Sequence, residues 1–86
     1  MKYDIQIDRR ALKFISKQDE EQKRRIFSAI SRLPEQGDRK RLAGYTDLFR
    51  LRVGEYRIIY SVDGGKLTVY VIDAGNRGDI YKRYKG

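Results

Sequence analysis

From Phe49 to Ala74 apolar residues recur largely at every second position, and two short polar interruptions divide this run into three strands. Strands are expected at Leu48–Val53, Tyr56–Val62 and Leu67–Ala74, joined by Gly54-Glu55 and by Asp63-Gly64-Gly65-Lys66. A two-residue turn at Gly54-Glu55 sets Val53 against Tyr56, Leu51 against Ile58 and Phe49 against Tyr60. A turn at Gly64-Gly65 sets Val62 against Leu67, Tyr60 against Val69 and Ile58 against Val71. The two registers are independent, yet both put the same middle-strand residues on the apolar side, so each supports the other.

Upstream, Tyr3, Ile5 and Ile7 alternate with Asp4, Gln6 and Asp8, the pattern of a first strand. Asp8 is placed to cap a helix through about Lys17, with Leu12 and Ile15 facing inward. Asp19 caps a second helix, with Gln22 three residues on as in a capping box. Ile26, Ile30 and Leu33 give it a core stripe, and Pro34 and Gly37 stop it. Residues 35–47 read as a loop, and the tail from Gly75 as loop with a short final turn. The expected fold is α+β, in the order β-α-α-β-β-β. It is an antiparallel three-stranded hairpin sheet plus the N-terminal strand, with two helices packed on one face. A chain of 86 residues, with no internal repeat or linker, is expected to be a single domain spanning 1-86.

On the sheet's other face the same registers collect Arg50, Arg52, Arg57, Ile59, Tyr70 and Ile72, with Arg52 directly across from Arg57. Like charges facing across strands destabilise a sheet. Selection for folding alone would intersperse acidic residues here, and none appears; the plain alternative is a solvated face chosen for solubility. The charge balance points the same way: 20 Lys and Arg against 12 Asp and Glu give a net +8, a field that favours a polyanion. Seven tyrosines add rings on which bases stack. With no cysteine and no histidine, disulfides, thiolate nucleophiles and imidazole catalysis are excluded, and a zinc site has no Cys or His ligands. No cofactor is expected. No apolar run approaches the roughly 18 residues of a spanning helix, and none precedes the first strand, so a cytoplasmic protein without membrane contact is expected. The segment Gly75-Asn76-Arg77-Gly78-Asp79-Ile80-Tyr81 follows the last strand at the end of the sheet that holds Arg52 and Arg57. Its glycines allow a bend that brings Arg77 and Tyr81 back over the arginines. The plain reading makes Asn76 and Asp79 turn formers and Tyr81 a core residue.

The run Leu48-Phe49-Arg50-Leu51-Arg52-Val53-Gly54-Glu55-Tyr56-Arg57-Ile58-Ile59-Tyr60 resembles the central hairpin of the RelE/ParE toxin superfamily. Arg41-Leu42-Ala43-Gly44 resembles the segment before it, and Gly75–Tyr81 the terminal motif. The resemblance covers essentially the whole chain and implies a toxin neutralised by a cognate antitoxin. RelE-type members cut mRNA in the ribosomal A site, whereas ParE-type members poison DNA gyrase. The RelE catalytic positions correspond to Arg50, Arg52, Arg57, Arg77 and Tyr81 here, and a tail tyrosine is typically missing from the gyrase poisons.

The expected activity is therefore a metal-independent, ribosome-dependent endoribonuclease with ribosome, mRNA and antitoxin as partners. Arg39, Lys40, Arg41, Tyr70, Lys82 and Arg83 are the expected RNA-binding residues around the catalytic set. Arginines stabilise the extra negative charge of phosphate in the transition state. Family members often carry lysine on the first hairpin strand; arginine in its place is a poor base, which leaves Tyr81 to move the proton or to stack on a nucleobase. Two other readings stand beside this one: a gyrase-poisoning toxin of the same fold, and a non-catalytic RNA-binding module.

Overall fold

A computed structural model describes residues 3–35, 38–42 and 44–84, without the side chains of 38 and 39. The elements are β1 (Asp4–Ile7), α1 (Arg9–Ser16), α2 (Glu20–Ser31), β2 (Asp38–Arg41), β3 (Phe49–Val53), β4 (Tyr56–Asp63), β5 (Thr68–Asn76) and α3 (Arg77–Arg83). The class is α+β, as expected. The sheet has five strands in the order β1-β5-β4-β3-β2, with β1 parallel to β5 and the other pairs antiparallel.

The helices begin where the caps predict. Asp8 accepts from Arg10 N at 3.2 Å, and Asp19 from Gln22 N at 2.9 Å. The Gln22 side chain does not close a capping box; its amide oxygen accepts from Arg25 Nη1 at 3.1 Å. Ile26, Ile30 and Leu33 are buried against the sheet together with Leu51, Ile58, Tyr60, Val69 and Val71. In α1 the inward pair is Ala11 and Ile15, while Leu12 is 45 % exposed, contrary to its expected inward position. The helix lies close enough to β5 that the methyl of Ala11 fills the contact, and the larger leucine is turned away. Arg32 caps α2 just before Pro34; Gly37, the other expected stop, lies outside the described residues.

Two segments expected to be loop are regular. Residues 38–41 form β2, an edge strand on β3, with Lys40 opposite Arg50. This strand is wholly polar, so it carries no alternation of hydrophobicity. The tail forms α3, which buries only Ile80.

The first hairpin has the expected register, Val53↔Tyr56 through Phe49↔Tyr60. The second does not. Its loop is four residues, Gly64 to Leu67, with Leu67 at φ 51, so Val62 pairs with Val69 and Tyr60 with Val71. The displacement is two residues, which keeps every side chain on its expected face. A bulge then intervenes: Ile59 pairs with Asp73 while Tyr60 pairs with Val71, so Ile72 is left over. Beyond it the parity of β5 is reversed. Ala74 enters the core opposite Ile58, and Asp73 goes to the far face opposite Ile59.

No helix among the described residues is long and apolar enough to cross a membrane. Ile15→Ala is expected to cost about 2–5 kcal/mol through the cavity it leaves, whereas Leu12→Ala stays within about 1 kcal/mol. Urea denaturation of the two variants checks this. Equal losses would mean that α1 packs through its leucine.

Candidate functional site

The site is built on the β3–β4 hairpin. Arg52 and Arg57 face each other across the strands, and Arg50 lies two residues along from Arg52, opposite Ile59. Arg57 is 9 % exposed, and its Nη1 donates to Gly54 O at 2.8 Å and Tyr56 O at 3.0 Å, carbonyls of its own turn. These bonds hold the guanidinium in place and leave Nε and Nη2 for another acceptor. Burial lowers the tendency of Arg57 to hold its proton, and Arg50, Arg52 and Arg77 lower it further, against Glu55. The Nε of Arg50 is buried without a hydrogen-bond partner.

α3 forms the facing wall. Its first amide, Arg77 N, donates to Glu55 O at 2.9 Å and so ties the helix start to the hairpin turn. Ile80 seats directly on Gly75, where a Cβ would stand 3.2 Å from Ile80 Cγ1; only glycine permits this approach without displacement. At the other end of α3, Arg83 Nη1 donates to Asp73 Oδ2 at 2.6 Å and the Tyr84 hydroxyl donates to the same oxygen at 3.0 Å. Arg77 and Tyr81, four residues apart, share one helix face. Tyr81 is 73 % exposed and is not a core residue.

Between wall and floor lies an open concavity of about 1140 Å³. Lys40, Arg41, Arg50, Arg52, Arg57, Arg77 and Tyr81 line it, with Leu42, Gly54, Glu55, Gly78, Ile80 and Tyr84. Glu55 is its sole carboxylate among the described residues, so its field is strongly positive. Among the described residues, no three His, Cys, Asp or Glu side chains converge as a metal site requires.

The model of the ParE toxin of type II toxin–antitoxin systems (parDE) matches residues 5–81. The chain belongs to this family, part of the RelE/ParE superfamily. Among solved structures, the toxin is similar to a chain of the archaeal RelE–RelB complex from Pyrococcus horikoshii OT3. The identity is 28 %, the TM-score 0.74, and the match covers 91 % of this chain and 98 % of that one. A chain of the RelB–RelE complex from Methanococcus jannaschii matches with 25 % identity, TM-score 0.74 and coverage of 92 % and 98 %. The isolated RelE toxin of E. coli matches with 26 % identity, TM-score 0.66 and coverage of 94 % and 93 %. No curated protein matches the sequence.

The five residues expected to be catalytic thus lie around one concavity of the toxin, and Lys40 and Arg41 join them. The Arg41 guanidinium lies over the Phe49 ring, 5.6 Å from its centroid. Tyr70, Lys82 and Arg83 do not line the concavity. Tyr70 sits farther along β5, opposite Ser61, and Arg83 is held by Asp73. The side chain of Arg39 lies outside the described residues. Sequence reasoning missed Asp73, Tyr84 and Glu55. For Asp73 a signal was present: it is the one charge in an otherwise apolar strand, with an arginine ten residues on.

Burial pushes the Tyr84 hydroxyl above its ordinary range, and the hydrogen bond and charge of Asp73 add to this, against Arg10 and Arg83. A raised folded value gives stability that is complete below the unfolded value, about 10, and lost as pH climbs through the folded one. Tyr84→Phe is therefore expected to flatten the fall in stability above about pH 10, seen in urea midpoints across that range. A variant that falls as steeply as the parent would assign the loss to other groups.

Proposed function

We propose that this toxin is a ribosome-dependent endoribonuclease that cleaves mRNA in the ribosomal A site, held inactive by a cognate antitoxin. The observation that carries the reading is the convergence of Arg50, Arg52 and Arg57 from the hairpin with Arg77 and Tyr81 from α3 on one cationic concavity. The likeness to RelE-named structures supports it.

The reaction that suits these groups uses the RNA's own 2′-hydroxyl. Its oxygen attacks the adjacent phosphorus, the bond to the 5′-oxygen breaks, and a cyclic phosphate and a free 5′-hydroxyl result. Arg57 and Arg77 contact the scissile phosphate and stabilise its growing charge, while Arg50 and Arg52 hold it or its neighbours. Tyr81, exposed on the wall, takes the proton from the 2′-hydroxyl as its phenolate, and solvent water protonates the departing 5′-oxygen. In-line alignment of the RNA comes from the ribosome, which supplies the orientation part of the rate. DNA lacks the nucleophile and is not a substrate. The antitoxin, acidic or amphipathic, covers the arginine face or displaces the tail; the antitoxin complexes among the similar structures support such a partner.

A second reading, gyrase poisoning without chemistry, is favoured by the ParE description of the matching family. Purified toxin added to translating ribosomes and to a gyrase supercoiling assay separates the two. Cleavage of ribosome-bound mRNA with gyrase unaffected is expected. Tyr81→Phe should slow that cleavage by about 10²–10⁴-fold, and Arg77→Gln by about 10²–10³-fold. Inhibited supercoiling with intact mRNA would overturn the proposal in favour of the second reading. A Tyr81→Phe protein that cuts at the parental rate would remove the tyrosine from proton transfer.

A further inference from the structure

We infer that Asp73 is a positioning residue, whose buried carboxylate clamps α3, and through Tyr84 the ring of Tyr45, so that Arg77 and Tyr81 stay over the hairpin arginines. Its activity arm rests on the endoribonuclease reading above; its structural arm does not.

Asp73 is 0 % exposed, on the sheet face opposite the main core. A carboxylate so placed is costly unless it is paired, and an apolar side chain would suit the neighbouring Ile59 and Ile80 better. It is fully engaged instead. Oδ1 accepts from Ala74 N at 2.8 Å. Oδ2 accepts from Arg83 Nη1 at 2.6 Å and the Tyr84 hydroxyl at 3.0 Å, with Arg10 Nη1 at 3.7 Å. The proton held more firmly by Arg83 accords with this bond.

Both close partners belong to the last turn of α3 and its cap. The helix start is tied separately, through Arg77 N to Glu55 O. Two attachments fix the direction of the axis, and with it the side chains of Arg77 and Tyr81 between them. With the carboxylate neutralised, Ile80 and the N-terminal tie remain, and the helix is free to tilt. The clamp also reaches beyond α3. The Tyr84 ring meets the Tyr45 ring edge-on at 6.1 Å, and Tyr45 lies on the loop that follows Lys40 and Arg41. One carboxylate thereby holds the α3 wall of the site while touching no substrate.

The test compares Asp73→Asn, Arg83→Ala and Arg83→Lys in the full chain with the parent. Amide hydrogen exchange across residues 80–84 and across β4 is the first readout. Asp73→Asn and Arg83→Ala are expected to accelerate exchange in 80–84 at least about tenfold with β4 unchanged, and Arg83→Lys to restore much of the protection. In mRNA cleavage on ribosomes, kcat is expected to fall about 10–100-fold with KM within about twofold, as misplacement of a catalytic wall produces. Exchange raised equally in both regions, or unchanged in 80–84, would overturn the inference. So would a cleavage loss confined to KM. If the parent cuts no RNA, the endoribonuclease reading fails, and the exchange comparison still decides whether Asp73 clamps α3.

Discussion

The bulge at Ile72 and the carboxylate beyond it are the constraint on which the architecture turns. Without the extra residue, Asp73 would follow Val69 and Val71 into the main core, where nothing could pair it. With it, the acid emerges under α3 and meets Arg83 and Tyr84. A local irregularity in one strand thus decides whether the tail is a helix docked on the sheet. The same step brings Ala74 into the core and sets Gly75 opposite Arg57, where the missing Cβ admits Ile80. Backbone register, a buried ion pair and a second small apolar contact are three consequences of one inserted residue.

The docked helix adds to an electrostatic problem that the hairpin has already created. Arg52 and Arg57 are opposed across the strands, and Arg77 joins them from α3. At Arg57 the repulsion is offset in part by backbone acceptors. Arg57 spends one nitrogen on the carbonyls of its own turn, which fixes its direction without neutralising it. The Arg57 guanidinium is left held in place with its charge intact, and Glu55 is a nearby opposing charge among the described residues. That is the preorganised state in which an anion gains most on arrival, because the protein does not reorganise to receive it.

Much of this arrangement was legible in the chain, and the failures have identifiable causes. The first hairpin, both N-caps and the stripe of Ile26, Ile30 and Leu33 follow from local rules that no tertiary contact opposes. The arginine face followed from parity alone. The second hairpin was misregistered because a Gly-Gly pair suggests a tight turn, whereas Leu67 adopts a positive φ and lengthens the loop. β2 was hidden because Asp-Arg-Lys-Arg carries no apolar alternation; it is a strand through its pairing with β3. α3 was hidden because Gly75 and Gly78 read as breakers, and its contact with Asp73 joins residues ten apart in sequence. Leu12 was placed inward on hydrophobicity, while the close approach of α1 selects Ala11.

The fold is shared by toxins of different action, so the discrimination lies in a few side chains and in where the surface is charged. The exposed large apolar side chains of the described residues separate by position. Leu12 and Phe27 lie on α1 and α2, and Tyr81 lies on the wall of the cationic concavity. A surface that served only to grip a protein would bring its apolar anchors to the centre and keep charge at the rim. Here the arrangement is inverted: among the described residues the centre is guanidinium with a single carboxylate, and the rings that line it, Tyr84 and the exposed Tyr81, are phenols. Desolvating that many cations against a protein requires a matching set of acids, whereas a nucleic-acid backbone presents phosphate at every residue. The distribution of charge and ring therefore suits a phosphate-bearing occupant of the concavity, which Leu12 and Phe27 do not line.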